Sequence, residues 1–355
     1  MDILKVGLIG AGHISETHLK AWHRSQGCQV TDIFDLNREM AEERARRFRI
    51  ERVHDRLEDL LDKVQVVDIC TPPSTHGDLL RQAAERGLHI LIEKPMVIWA
   101  SEWEELAPLF ARSPGKLAVL HNLKYARSVQ NAKKWVDQGR IGRILRLTRR
   151  FLTHPESDRM LVGDRHWSHR LPGGRWFETL PHELYLIHSF LGPLGLAHVD
   201  ALQTAAAPPG APADEVQLTF TGRDAIATVH YSASCRLNHR SMTLYGEKGI
   251  IDIDLLGDSV KVLSHGDAQW RRAAGGTLLD AGSELVQSVP DRMAYFGERL
   301  QGASPHFKLI QDFAGYLHDR NPSPTPMDEV EYVVRHCEEV GRAIDARLES
   351  LRATG

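Results

Sequence analysis

The chain has 355 residues, 42% of them hydrophobic and 26% charged, with a net charge of −3: the composition of an ordinary globular protein long enough for two domains. Charges of both signs are interspersed, which excludes a basic stripe for nucleic acid and an acidic tail. No apolar run approaches the ~20 residues that a membrane helix needs.

The opening "MDILKVGLIG" lacks the basic segment and cleavage site of a secretion signal and reads as a strand. Cys28, Cys70, Cys235 and Cys337 lie far apart with no C-x-x-C pair, which fits reduced thiols better than a disulfide framework or a zinc site. The expected location is therefore the cytoplasm.

"LKVGLIGAGHIS" (4–15) is a short apolar strand running into a glycine turn that holds Gly10, Gly12, His13 and Ile14. A helical stretch follows, then a second strand, "CQVTDIFDLN" (28–37), closed by Asp35. Strand, turn, helix, strand and acid in that order make the dinucleotide-binding context. Gly10 suits the tight turn. Gly12 lets backbone amides approach a pyrophosphate at the helix N-terminus, and Ser15 takes the place of a third glycine. Asp35 can accept both ribose hydroxyls and repel a 2′-phosphate, which favours NAD, while Arg38 keeps NADP open. "EERARRFR" (42–49) reads as a solvated helix face.

"VQVVDICTPP" (64–73) and "LHILIEKPM" (88–96) are further buried strands with the helix "STHGDLLRQAAERG" between them. The alternation implies an α/β fold with a doubly wound parallel Rossmann sheet. Ligands of such sheets lie beyond the strand ends, where Thr71, Pro72, His76, Glu93 and Lys94 fall.

From about residue 144 the texture changes to strand candidates separated by turns: "RILRLTRRFLT", "AHVDALQTAA", "DEVQLTFTG", "AIATVHYSAS", "SMTLYGEKGIIDIDL" and "DSVKVLS". They predict a C-terminal α+β domain with a large, mostly antiparallel open sheet. "AAAPPGAPAD" (205–214) reads as a surface loop and 271–297 as an irregular insertion whose aromatics could reach a site. Helices are expected around 305–319 and 328–351.

Within this half, "GGRWFETLPHELYLIH" (173–188) places Glu178 and His182 four residues apart, on one face of a helix. The preceding segment carries His166, Trp167, His169, Arg170, Arg175 and Trp176. These suit a hydroxylated ring, with or without an anionic group, or they pack the domain junction; the sequence leaves both open. No metal site is expected, because "HELYLIH" spaces its histidines by six and no cysteine is near.

"GAGHIS", "TPPSTH", "EKP", "HNLKYARSVQNAKKWVDQGRIGRI" (121–144), "GGRWFETLPHELYLIH" and "MTLYGEKGIIDID" together resemble the Gfo/Idh/MocA oxidoreductases over almost the whole chain. The resemblance implies a dinucleotide-binding domain at 1–122 and a substrate and oligomerisation domain at 123–355, the last helix packing back on the first. It implies that Lys94 acts beside the nicotinamide on a cis Lys94–Pro95 bond and that His182 is the acid/base. Thr71, Pro72, His76 and Glu93 would belong to the cofactor cleft, and Asn122 and Lys124 would border nicotinamide and substrate. Trp167, Arg175, Trp176, Glu178 and Tyr185 complete the expected substrate site. Glu178 replaces the family's usual Asp and Tyr185 its second Asp, which argues against inositol as substrate.

The activity implied is an NAD-dependent dehydrogenase acting on a secondary hydroxyl of a sugar, sugar derivative or cyclic polyol. The alternatives are a redox glycosidase, which oxidises transiently, eliminates, adds water and reduces again, and a non-catalytic NAD sensor. The expected partners are a small carbohydrate and further copies of the chain, as a homodimer or homotetramer through the C-terminal sheet, with neither nucleic acid nor membrane.

Overall fold

The computed structural model describes residues 3–156, 158, 166–204, 213–264 and 304–354. Most of the 205–214 loop and the whole 271–297 insertion lie outside them. The chain divides into two compact units, Met1–Asn122 with Gly302–Arg335, and Leu123–Gln301 with His336–Gly355.

The first unit is built on a six-stranded parallel sheet: β1 (Leu4–Ile9), β2 (Cys28–Phe34), β3 (Arg52–Val53), β4 (Val66–Ile69), β5 (His89–Ile92) and β6 (Leu117–Val119). Their spatial order is β3-β2-β1-β4-β5-β6, so the winding reverses between β1 and β4. Helices α1 (Ser15–Trp22), α2 (Arg38–Phe48), α3 (Leu57–Leu61), α4 (His76–Glu85) and α5 (Ala100–Phe110) connect the strands. Successive strand residues point to opposite faces, and both faces are covered. Leu8 therefore packs with Leu19, Ile33 and Ala41 on one side, and Ile9 with Ile69, Leu80 and Ile92 on the other. The reversal opens a crevice at the carboxyl ends of β1 and β4.

The second unit holds α6 (Arg127–Asp137), β7 (Ile144–Leu152), α7 (Arg175–Leu191), β8 (Gly195–Leu202), β9 (Glu215–Thr221), β10 (Ile226–Ser232), β11 (His239–Gly246), β12 (Gly249–Asp254) and β13 (Ser259–Ser264). The sheet order is β13-β12-β11-β7-β10-β9-β8, antiparallel throughout except for the central β7–β10 pair. Alternation is clean: Leu147, Arg149 and Phe151 of β7 and Ala227, Val229 and Tyr231 of β10 are buried. On the opposite face the register lines up Thr219, Thr228, Thr148, Thr243, Asp252 and Lys261 in one polar row.

Two helices close the chain, α8 (Pro305–Leu317) and α9 (Met327–Thr354). Val330 and Val334 of α9 belong to the apolar core of the first unit. Among the described residues no helix is long and apolar enough to cross a membrane.

Candidate active site

After β1 the chain turns through Gly10 at φ +98°, a backbone state open to glycine. A Cβ there would lie 2.9 Å from the carbonyl carbon and oxygen of Cys70, so this turn is pressed onto the end of β4. At Gly12 the opposite holds: among the described residues no atom beyond the chain neighbours lies within 4 Å of a Cβ position, and the backbone is open. Ser15 is fully buried and its Oγ donates to the Gly12 carbonyl at 2.6 Å, closing the turn as a small residue should. Asp35, just past β2, accepts from the Ala11 amide at 2.6 Å and from the Asn37 amide at 2.7 Å.

A carboxylate is thereby fixed beside an open glycine turn at a helix N-terminus. This donor set fits a dinucleotide, with the pyrophosphate at Gly12 and the ribose at Asp35. His13 is exposed on the same turn and Ile14 is half-buried. The guanidinium of Arg38 is engaged by Glu42 at 2.8 Å and by Asp55, so the cation expected to tolerate a 2′-phosphate already faces two carboxylates.

The loops after β4 and β5 carry the other predicted residues. Thr71 is half-buried with its Oγ1 on Thr75, and Pro72 is exposed. His76 is fully buried between the carbonyls of Thr71 and Pro95, each 2.9 Å from a ring nitrogen. This side chain braces both loops, and burial holds its pKa below the usual histidine value. Lys94 is half-buried and precedes a cis bond to Pro95.

Beneath Lys94 lies a buried network that the sequence did not announce. His18 of α1 directs Nδ1 at Asp68 of β4 (2.9 Å) and Nε2 at Glu93 Oε1 (3.0 Å). Asp68 also accepts from Trp22 Nε1 at 2.7 Å, and the remaining Glu93 oxygen accepts from the Lys94 amide at 3.1 Å. Asn122 Nδ2 stands 3.2 Å from the ring of His306 in α8, whose Nε2 is 4.0 Å from Glu93.

The charges follow from this geometry. Burial opposes a charged His18, yet Asp68 outweighs it and holds the pKa well above the ordinary value. Burial likewise raises Glu93, and the His18 hydrogen bond and charge bring it down to about 2. For His306 burial wins and lowers the pKa to about 4. Among the described residues His18, Asp68 and Cys70 form the one group with metal-ligand spacing. Their close approach is accounted for by the hydrogen bonds, and the Cys70 thiol is pushed up to about 12 by burial.

In the second unit, α7 enters through Gly173 and Gly174, both at positive φ. Gly173 is needed for close approach: a Cβ there would sit 3.2 Å from Gly341 Cα of α9. From Leu171 to Ile187 every residue is buried except Glu178 and His182, the two positions four apart. Up to Ile187 the helix therefore opens only one narrow face, and both predicted groups stand on it.

His182 Nδ1 is 2.7 Å from the Tyr185 hydroxyl, which also accepts the Leu123 amide at 2.9 Å. Tyr185 is fully buried, with its hydroxyl on His182. Arg175 and Trp176 are buried as well. Arg175 is 3% exposed, and its guanidinium is held by Asp158 at 2.5 Å and by Thr179. Trp176 is 1% exposed, stacks on Tyr231 with centroids 4.8 Å apart, and donates to the Ala213 carbonyl. Trp167 is half-buried against His166, and Lys124 is half-exposed. Beneath α7, Arg149 of β7 pairs with Glu183 at 2.5 Å, both side chains out of solvent.

Residues 4–121 match the model of an oxidoreductase family with an NAD-binding Rossmann fold, and residues 129–252 match the GFO/IDH/MocA C-terminal domain. Levoglucosan dehydrogenase of Pseudarthrobacter phenanthrenivorans is 33% identical over 155 residues, 41% of this chain and 40% of that protein. Inositol 2-dehydrogenase of Rhizobium meliloti is 31% identical over 146 residues, 41% of this chain and 44% of that protein. Each of these two alignments thus spans less than half of the relative's length. The structure of UDP-N-acetylglucosamine 3-dehydrogenase from Acidithiobacillus ferrooxidans superimposes with a TM-score of 0.73 at 22% identity, covering 98% of this chain and 100% of that one. The chain therefore belongs to the Gfo/Idh/MocA oxidoreductases, with NAD as the cofactor of its N-terminal Rossmann fold.

Proposed function

We propose that this oxidoreductase oxidises a secondary hydroxyl of a sugar, sugar derivative or cyclic polyol, with Lys94 and His182 handling the proton and the developing charge. The observation that carries the reading is the burial pattern of α7, in which Glu178 and His182 alone break an otherwise buried run. When bound, the nicotinamide supplies the hydride acceptor. Gly10, Gly12, His13, Ile14, Asp35, Thr71 and Pro72 hold the dinucleotide, and Asp35 favours NAD.

Loss of hydride from a carbinol carbon requires the hydroxyl proton to leave as charge builds on oxygen. With Nδ1 of His182 held by Tyr185, Nε2 is the nitrogen assigned to take that proton. The ammonium of Lys94 steadies the developing alkoxide. Glu178 accepts from a ring hydroxyl, and Asn122, Lys124 and Trp167 border the substrate. The polar outer face of the second sheet is the proposed contact of a homodimer or homotetramer.

The test is NAD reduction over a panel of neutral and acidic sugars, inositols and their glycosides. Lys94→Ala and His182→Ala should each lower kcat roughly 100- to 10,000-fold while cofactor binding persists. Normal turnover in both variants would sink the residue assignment. A redox glycosidase is the second reading, in which the partly exposed Glu178, four residues before His182, would be the added acid/base group. It predicts aglycone release from aryl glycosides without net NADH.

A further inference from the structure

We propose that His18 and Glu93 are positioning residues for Lys94: a doubly hydrogen-bonded imidazolium fixes the Glu93 carboxylate, and that carboxylate fixes the backbone of Lys94. This rests on the reading of Lys94 given above.

Three elements meet at His18, and each contact is defined. Its two ring nitrogens face two different carboxylates, Asp68 at 2.9 Å and Glu93 at 3.0 Å. A neutral imidazole carries one N–H and can donate to only one of them, so this arrangement calls for the cation, with an N–H on each nitrogen. All three side chains are removed from solvent: 0% exposed for His18 and Asp68, and 11% for Glu93. Charge-assisted hydrogen bonds in such a setting are short and directional.

Asp68 is itself immobilised. It sits mid-sheet in β4, opposite Leu91 of β5, and accepts the Trp22 indole N–H at 2.7 Å. Rigid strand and rigid helix thus hold the imidazole, and the imidazole holds Glu93. Glu93 divides its two oxygens between the two tasks, Oε1 for His18 and Oε2 for the Lys94 amide. The residue that leaves β5 is therefore tied on one side to α1 and β4 and on the other to the lysine that follows it.

Buried charged groups are expensive to keep, and replacing such a set with packed apolar residues is often neutral or stabilising. A set retained next to a reactive lysine, with one carboxylate bonded to that lysine's own amide, points to placement of the ammonium rather than to fold stability alone. Placement matters because an error of 1 Å in a reacting group can cost on the order of 100-fold in rate.

The experiment compares His18→Gln and Glu93→Gln in two ways. In the first, the folded full-length variants are treated with an amine-acylating reagent, and the rate at Lys94 is followed by mass spectrometry against Lys134 as internal control. The expected result is a change of at least about threefold at Lys94 alone. An unchanged Lys94 rate in both variants overturns the proposal. Glu93→Gln keeps size and shape, so it remains informative even if His18→Gln does not fold.

In the second, His18→Gln is combined with Lys94→Ala. If His18 acts through Lys94, its roughly 10- to 100-fold loss of kcat shrinks to under about twofold in the Lys94→Ala background, the non-additivity expected of a shared function. Losses that multiply overturn the proposal. Full turnover of Lys94→Ala alone instead removes the assigned role of Lys94, and the labelling result then still reports whether the clamp places it.

Discussion

The two units bury charge for different ends. In the first, His18, Asp68 and Glu93 converge on a strand end and on the backbone of Lys94. In the second, Arg149 with Glu183 and Arg175 with Asp158 lie beneath and beside a helix, and none of these four presents itself to solvent. One network aims a loop; the other seats a helix on which Glu178 and His182 alone break the buried run up to Ile187. Burial of a polar group is therefore not itself a mark of chemistry. What marks it is a neighbour that stays partly open.

The comparison is broken most forcefully at Arg149. Arg149→Met alone strands Glu183 in the core and should cost about 3–5 kcal/mol, whereas pairing it with Glu183→Leu should recover most of that loss. Chemical denaturation of both variants checks it. If the single variant is as stable as the parent, the ion pair does not seat α7.

Next comes acid stability, which separates the two units. His306 is held neutral in the fold to about pH 4, and its unfolded counterpart protonates near 6.5. Between those limits the unfolded chain binds the extra proton, so stability is full above about 6.5 and falls as pH drops towards 4. The loss is on the order of 2–3 kcal/mol from this one ring. Replacement by Asn should flatten the melting temperature over that window, and an unchanged slope would remove His306 from the acid response.

A smaller effect is expected at Tyr185. Tyr185→Phe keeps the ring but leaves the Leu123 amide unpaired, for about 1–3 kcal/mol. It also removes the hydroxyl from His182 Nδ1. A fall in kcat with an unchanged KM for NAD marks it as a support for His182, and unchanged kcat would leave it a packing residue. The mildest change is Asp35→Ser. It should raise the KM for NAD about tenfold and narrow the preference over NADP, since the ribose loses its acceptor; steady-state kinetics with both cofactors decides.

Much of this was legible in the sequence. The glycine turn, the parallel strands and the switch to an antiparallel sheet announce themselves by period, and the Glu178–His182 spacing by helical geometry. What the sequence left hidden has particular causes. Arg175 and Trp176 look like a substrate face because of their residue types, and only the fold shows both side chains buried at the start of α7. Tyr185 looked like a lost acid, and only the fold shows its hydroxyl on His182. His306 lies over 200 residues from Glu93 and could not be paired with it by any local rule. Asp68 did leave a trace, a lone acid inside the apolar run "VVDI", where an unpaired charge would be intolerable.

The division of the chain has a consequence for its birth on the ribosome. The first unit's last strand, β6, is finished by a segment from the far end: Thr325 donates to the Val119 carbonyl, and Glu329 lies 2.6 Å from His121. Trp22 of α1 likewise waits for Phe313 of α8. Domains generally fold in the order in which they emerge. Here the unit that starts first is completed only by Gly302–Arg335, after Leu123–Gln301 of the second unit has been made. A nascent chain of this protein carries an open Rossmann edge for most of its synthesis, and a truncation before α8 removes a wall of the nucleotide fold rather than a tail.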